Sequence, residues 1–311
     1  MSKLPLAEFD HLDPELVADW LNAKPDFKVM RRIKDTNHLG GQVDQSITVV
    51  VVDTETTGLD FDQSYLIEVG FIAVQVDRIT GKIGQVLGRY GGLEDPGVPI
   101  SPESTKIHGI TNEMIQDKRF DEQAIQALCQ RADLFVAHNA GFDKPFITRR
   151  FPWLEETLWS CTYKELPLHQ EGYSSGKLES LLNEIGYFHV AHRAVEDCLA
   201  LLYFLARPLK ESQRLPLTLI FDSSTESIYE IAAMNAPFEA KDTLKAKGFR
   251  WNAADRVWEY VAMGFLEGKE IIEWLRAQVY HTKDKISLGF KVRQGKDRYS
   301  KLPVRLQIKQ V

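Results

Sequence analysis

The stretch that decides the fold is Ile47-Thr-Val-Val-Val-Val52, which is followed at once by Asp53-Thr-Glu55. Its first six residues are β-branched and nearly all apolar, which predicts a central strand covered on both faces. Because side chains alternate along a strand, we expect the carboxylates of Asp53 and Glu55 to lie on one face at its carboxyl end. Ligands bind at that edge of open α/β sheets, so a functional site is expected there.

Two carboxylates this close repel each other, and both stay ionised only when a cation lies between them. Oxygen ligands of this kind favour Mg²⁺ or Mn²⁺. Taken alone, the two residues are equally compatible with a capping role for Asp53 and a surface position for Glu55. The pattern therefore indicates a metal site without excluding a purely local role.

Two further acidic residues follow predicted element boundaries. Asp143 ends the stretch His138-Asn-Ala-Gly-Phe-Asp143, just after a predicted strand, and Asp197 ends His192-Arg-Ala-Val-Glu-Asp197 at a loop-to-helix junction. Taken singly, Asp143 suits the first turn of a helix, where the macrodipole favours an acid, and His192 suits the surface. Because all of them fall at the mouth of one predicted sheet, a shared site is the stronger interpretation.

Five segments resemble, in order, the motifs of the DnaQ-like 3′–5′ exonucleases. This family includes the proofreading epsilon subunit of bacterial DNA polymerase III, and the histidine in the last motif is typical of its DEDDh subclass. The segments are VVDTETTGL at 51–59, IEVG at 67–70, IHGIT at 107–111, AHNAGFD at 137–143 and HRAVED at 192–197. The resemblance covers roughly residues 46–208 and implies a ribonuclease H-like mixed sheet flanked by helices.

The resemblance also implies a mechanism. Asp53, Glu55 and Asp197 would bind two divalent metal ions, Mg²⁺ or Mn²⁺, and Asp143 would complete the ligand set, partly through water. His192 would act as the general base, as neutral imidazole can near neutral pH. The expected reaction is metal-dependent hydrolysis at DNA 3′ ends that releases nucleoside 5′-monophosphates.

The expected substrate is single-stranded DNA or an unpaired 3′ end. By the same resemblance, Thr56, Gly58 and Leu59 would line the pocket of the terminal nucleotide, although these three residues also suit a simple turn after the strand. Asn139 and Phe142 would edge the groove. A DNA polymerase is the candidate protein partner. The alternatives are a 3′–5′ exoribonuclease or oligonucleotidase, and a non-catalytic polymerase-accessory protein that binds nucleic acid.

Changes in composition predict four segments. Residues 1–45 form an N-terminal helical arm and linker, residues 46–208 the exonuclease-like domain, residues 217–281 a small α+β module, and residues 282–311 a basic C-terminal tail. Residues 240–311 carry 16 Lys and Arg against 8 Asp and Glu, whereas the whole chain has a net charge of −6. This asymmetry hints at an anionic partner for the basic part.

The C-terminal part resembles a small, poorly characterised domain of DNA-processing proteins. Lys241, Lys245, Lys247 and Arg250 are candidate nucleic-acid contacts, because basic groups beside aromatic rings can follow a backbone and stack on bases. The neighbouring Trp251 and Trp258 equally suit the core of so small a module.

The cellular compartment expected from the sequence is the cytoplasm. The chain of 311 residues has three cysteines and no CxxC pair, which argues against a disulfide framework. No apolar stretch reaches the ~20 residues that span a bilayer, and the amino terminus lacks the apolar core of a secretory signal. No membrane partner is therefore expected.

Overall fold

The computed structural model describes residues 12–36, 39–253, 255–282 and 284–311. The first fifteen elements are, in order, α1 (Pro14–Asn22), β1 (Arg31–Arg32), β2 (Ser46–Thr56), β3 (Leu66–Asp77), β4 (Ile83–Leu93), α2 (Pro102–His108), α3 (Asn112–Ile115), α4 (Glu122–Cys129), β5 (Leu134–Ala137), α5 (Ala140–Arg150), β6 (Trp159–Cys161), α6 (Thr162–Glu165), α7 (Leu178–Glu184), β7 (Tyr187–Phe188) and α8 (Ala194–Leu205). They are followed by α9 (Pro216–Ser224), β8 (Ile228–Ala233), α10 (Lys241–Lys247), β9 (Arg250–Asn252), β10 (Val257–Met263), α11 (Phe265–Gln278), β11 (Ser287–Arg293) and β12 (Gln307–Gln310). Short 3₁₀ turns lie at Pro152–Leu154, Phe238–Ala240 and Gly295–Asp297.

The larger unit is built on a five-stranded sheet with the order β4-β3-β2-β5-β6. The strand β2 runs antiparallel to β3, and β3 antiparallel to β4, whereas β5 pairs parallel with β2 and β6 parallel with β5. Helices flank the sheet. This mixed sheet confirms the ribonuclease H-like fold that the motifs implied.

Alternate residues of β2 enter two different cores. Val49 and Val51 pack with the apolar residues of α8, while Val50 and Val52 pack with Ile125 of α4 and other residues on the opposite face. Both faces of the strand are therefore buried, as its β-branched sequence predicts. The same alternation directs the side chains that follow Val52 to one face or the other.

The sequence misplaced the two boundaries of the C-terminal module. The helix α9 packs Leu217 and Ile220 into the core of the larger unit, so the small module begins after it, not at residue 217. Residues 282–311 are not a separate tail, because β11 and β12 belong to the module's sheet, whose order is β12-β11-β8-β10-β9. Burial of Leu288 and Phe290 against this module explains why the segment is ordered as strand.

The predicted N-terminal arm is only partly described. Residues 1–11 of the arm, and residues 37 and 38 of its linker, lie outside the described residues. The helix α1 begins after Asp13, whose carboxylate accepts a hydrogen bond from the Glu15 backbone N–H at 2.9 Å. Within the described part of the chain, Leu16 and Trp20 of this helix are exposed. In the described part of the chain, no helix is both long enough and apolar enough to cross a bilayer.

The amino terminus of α8 approaches β3 very closely at Gly70. A Cβ atom at this position would lie 2.4 Å from the carbonyl carbon of Ala194 and 2.6 Å from the backbone nitrogen of Val195. Neither backbone atom can yield without moving the helix, so a side chain of any size is excluded. The glycine at the end of the IEVG motif therefore sets how close α8 lies to the sheet.

We expect Gly70→Ala to lower the free energy of unfolding by about 1–3 kcal/mol, because overpacking forces backbone shifts. A matched control is Gly268→Ala in α11, where the nearest atoms lie 3.8 Å from the added carbon and alanine favours the helix. Urea denaturation of both variants checks this. Equal stability of Gly70→Ala and the parent would contradict the packing described.

Candidate active site

Three carboxylates meet at the carboxyl end of β2. Asp53 and Glu55 extend from the strand on the face covered by α8, and Asp197 comes from the first turn of α8. One carboxylate oxygen of each lies within 4.8 Å of the others. The alternation expected from the sequence thus brings the first two together, and the close packing of α8 adds the third.

Burial and mutual repulsion raise the pKa values of the acidic side chains at this site. Asp53 has its pKa raised well above the usual range, by burial and by the nearby charges of Asp143 and Asp197. Burial, together with the charges of Asp197 and Glu68, raises the pKa of Glu55 to about 8. The pKa of Asp143 is raised to about 7, again chiefly by burial. In a metal-free protein these groups therefore retain protons at pH values where ordinary carboxyls are ionised.

Asp143 lies close to the three carboxylates but on the other face of the sheet. It sits in the first turn of α5, is buried, and accepts a hydrogen bond from the hydroxyl of Thr54 at 2.8 Å. Thr54 lies between Asp53 and Glu55 in the strand and so points to the opposite side. Asp53, Glu55 and Asp197 thus form a close group of three, and Asp143 lies near enough for its charge to raise the pKa of Asp53.

His192 lies at the open side of this cluster. Its side chain is 55% exposed, and its Nδ1 atom lies 4.0 Å from Oε1 of Glu55. The backbone at His192 adopts a φ of 66°, in the left-handed region that residues other than glycine rarely occupy. This turn places the imidazole on the loop before α8, as expected from its spacing to Asp197.

Two residues that the sequence did not single out hold this arrangement. His189 is buried, and its Nε2 donates to Oδ1 of Asp197 at 2.8 Å. The buried Glu68 accepts from the backbone N–H of Ala194 at 3.1 Å and from Nε of Arg193 at 3.0 Å, so it fastens the amino terminus of α8. In the sequence, Glu68 could have been noticed because it is a charged residue inside an apolar strand. Nothing in the sequence distinguishes His189 from an ordinary loop residue.

The five predicted substrate residues differ in accessibility. Leu59 is 79% exposed beyond the end of β2, while Thr56 is buried and donates to the carbonyl of Gly58 at 2.5 Å. Thr56 and Gly58 thus take part in a turn after the strand, and their place in the nucleotide pocket stays a prediction. The ring of Phe142 is partly buried, and Asn139 precedes α5 with its carbonyl accepting from the Phe142 N–H at 2.7 Å.

The four basic residues of the C-terminal module that are candidate nucleic-acid contacts are all exposed. They are Lys241, Lys245 and Lys247 on α10 and Arg250 on β9. Two of these lysines lie over aromatic rings of their own module, Lys241 at 4.9 Å from the Phe238 ring centre and Lys247 at 5.6 Å from that of Trp274. Trp258 packs against the module's core, whereas Trp251 is about half exposed.

The chemistry of the cluster fits a divalent metal. Its donors are carboxylate oxygens, the ligands that Mg²⁺ and Mn²⁺ prefer, and their spacing allows several of them to reach one ion. Burial, and after it the charges of neighbouring carboxylates, raise the pKa values of Asp53 and Glu55, and a cation bound between them would favour their ionised forms. An acidic cluster suited to a cation is therefore present.

A family model described as exonuclease, RNase_T, matches residues 50–205 of the chain. The chain belongs to this exonuclease family. The match contains the β2 acids, Asp143 and the His192–Asp197 loop, so the DnaQ-like resemblance drawn from the motifs is confirmed.

The relatives include two DNA polymerase III proteins and an exodeoxyribonuclease. PolC-type DNA polymerase III of Thermotoga maritima is 32% identical over 184 residues, which are 54% of this chain and 12% of that protein. The epsilon subunit of DNA polymerase III from Pasteurella multocida is 35% identical over 117 residues, 35% of this chain and 44% of the subunit. Exodeoxyribonuclease 10 of Escherichia coli is 34% identical over 156 residues, 48% of this chain and 62% of the enzyme. The similarity thus spans less than two thirds of each relative.

Solved structures include exonuclease X in complex with 5′ overhanging duplex DNA. It is 26% identical, with a TM-score of 0.37, and the similarity covers 55% of this chain and 99% of that one.

We expect the titration of Glu55 to make the metal-free exonuclease domain less stable as the pH rises. The unfolded chain releases the Glu55 proton near pH 4.5, whereas the folded protein holds it to about pH 8. Because the folded state binds more protons in that interval, its stability declines as the pH rises through it. Glu55→Gln cannot titrate, so its unfolding temperature should gain on that of the parent by several degrees between about pH 5 and pH 8.

Thermal unfolding in a chelating buffer measures this difference. An exposed control, Glu239→Gln, should follow the parent at every pH. A gap between Glu55→Gln and the parent that stays constant with pH would contradict the burial of this charge.

Proposed function

We propose that the chain is a metal-dependent 3′–5′ exonuclease that hydrolyses phosphodiester bonds at DNA 3′ ends and releases nucleoside 5′-monophosphates. The observation that carries the proposal is the convergence of Asp53, Glu55 and Asp197 within 4.8 Å, with the exposed ring of His192 4.0 Å from Glu55. Membership of the exonuclease family gives the reaction class. The grouping of the three acids beside His192 supports that reaction class.

Asp53, Glu55 and Asp197 would hold two divalent ions, Mg²⁺ or Mn²⁺, with Asp143 contributing partly through water. Such ions polarise the phosphoryl group and neutralise the charge that develops on the attacking and leaving oxygens. His192 would accept the proton of the attacking water, because its ring is exposed beside Glu55. His189 is a positioning residue, since its bond to Asp197 fixes how that carboxylate is oriented.

The substrate that fits is a single-stranded or unpaired 3′ end of DNA. Leu59 presents an exposed apolar side chain four residues beyond Glu55, and Phe142 presents an aromatic ring next to Asp143, so both can contact an unstacked base. The relatives named as polymerase III proteins support a DNA polymerase as the protein partner.

Asp53→Asn is expected to reduce degradation to background while DNA binding survives, because the amide removes a charge needed for the metal but leaves the surrounding surface intact. The assay is digestion of 5′-labelled single-stranded, duplex, mismatched and RNA oligomers with and without Mn²⁺. A descending ladder from one of them establishes polarity and substrate. A ladder from RNA alone would favour the exoribonuclease alternative, and degradation by Asp53→Asn equal to the parent would refute the metal assignment.

His192→Gln is expected to slow single-turnover cleavage by about 10²–10⁴-fold, the usual contribution of a general base. The matched control is His169→Gln, because His169 is exposed and is not part of the acidic cluster. The control should cleave at the parent rate. Equal rates for both variants would show that the base is another group.

A further inference from the structure

A stretch of the small module lies against the helix that carries Asp143. We call residues 295–301 the bridging segment. Lys144 of α5 is fully buried, and its ammonium group donates to the backbone carbonyls of Lys296 and of Arg298, the latter at 3.2 Å. Ser300 donates from its hydroxyl to Oε1 of Glu155 at 2.6 Å. The two units are therefore joined next to the candidate active site.

A buried charge pair fixes the position of the bridging segment. The side chains of Arg298 and Glu165 are 1% and 0% exposed, and Nη2 of the arginine lies 3.0 Å from Oε1 of the glutamate. The hydroxyl of Tyr299 donates to the same oxygen at 2.6 Å. Since removing one partner of a buried pair leaves an uncompensated charge, the segment is held in one place.

The bridging segment ends at a cleft beside the predicted nucleotide pocket. The cleft has a volume of about 410 Å³ and is lined by Leu59, Asp60, Phe61, Asp62, Gly141, Phe142, Pro145, Phe146 and Lys301. Of these, Leu59 belongs to the predicted pocket of the terminal nucleotide, and Phe142 is expected to edge the groove. Lys301 is exposed, and its ammonium nitrogen lies 6.0 Å from the ring centre of Phe61. Among the residues that line the cleft, Lys301 carries a positive charge, and Asp60 and Asp62 carry negative charges.

We propose that Lys301 binds a phosphate of the nucleic-acid strand on the 5′ side of the bond being cut, so that the small module forms part of the substrate site. The inference rests on the proposed function. The aromatic and apolar walls suit unstacked bases, and the lysine supplies the positive charge that a phosphodiester needs in a cleft with Asp60 and Asp62. The buried contacts of Arg298 and Lys144 hold the backbone of the bridging segment just before that lysine.

The identity of the phosphate follows from the chemistry of a 3′ end. The terminal nucleotide contributes one phosphate, the one cleaved at the acidic cluster, and its 3′ hydroxyl is free. A second phosphate near Leu59 and Phe142 must therefore belong to a linkage further upstream. Lys301 should matter for oligonucleotides and be irrelevant to a substrate with a single nucleotide.

The test compares Lys301→Ala with Lys285→Ala, an exposed lysine of the same module that is not among the cleft's lining residues. Two substrates are used, a single-stranded DNA oligomer and the p-nitrophenyl ester of thymidine 5′-monophosphate. Lys301→Ala should raise KM for the oligomer several-fold and leave hydrolysis of the ester unchanged. Lys301→Arg should restore the oligomer KM, which a purely structural role would not predict.

A binding measurement sharpens the result. On the Asp53→Asn background, the slope of log Kd against log salt concentration for single-stranded DNA should become shallower by about 0.7 when Lys301 is replaced by alanine, because one phosphate contact is lost. Lys285→Ala should leave the slope unchanged. Equal KM values and slopes for the two alanine variants would overturn the proposal for Lys301. Failure of the parent to hydrolyse either substrate would instead overturn the proposed function.

Discussion

The repulsion between three carboxylates held within a few ångströms of one another is the constraint on which the rest of this structure depends. Asp53 and Glu55 are brought together by strand alternation, but Asp197 reaches them only because α8 lies unusually close to the sheet. Gly70 permits that approach, and Glu68 fastens the end of the helix. The fold thus brings together groups that keep their protons without a metal, and a cation bound among them would favour their ionised forms.

The two faces of β2 carry different parts of the candidate site. The face toward α8 carries the acidic cluster, and the face toward α5 carries Thr54, which holds Asp143. The next residue of α5, Lys144, points instead into the bridging segment. The helix α5 therefore contacts both the candidate catalytic acids and the small module. Through this contact, the module can affect the cleft that contains Lys301.

Much of the fold followed from local pattern. The apolar run after residue 46 gave a central strand, and the strand Leu134–Ala137 has the bounds that its sequence indicates. Residues 282–311 were harder, because nine Lys and Arg give the segment the composition of a loose tail, and the apolar residues of β11 become buried only in the sheet that it forms with β8. Likewise, α9 belongs to the larger unit through contacts with residues far away in the chain, which local periodicity does not report.

In the candidate site, too, some features follow from local sequence and others depend on contacts between distant residues. The acids and His192 stand in short motifs whose spacing reveals a shared edge, whereas the face on which Asp143 lies depends on the pairing of Thr54 across the sheet. His189 gave no signal, because its role arises from one hydrogen bond to Asp197. The Arg298–Glu165 pair joins residues over a hundred positions apart, and only the packed structure brings them together.

The most direct test of the acidic cluster is calorimetric titration of Mn²⁺ into the metal-free protein in two buffers of different ionisation enthalpy. The account predicts binding of two ions per chain with release of protons near pH 7, because Glu55 retains its proton to about pH 8 in the metal-free state. Asp197→Asn should weaken this binding strongly. Binding by that variant equal to the parent, with no protons released, would contradict the account.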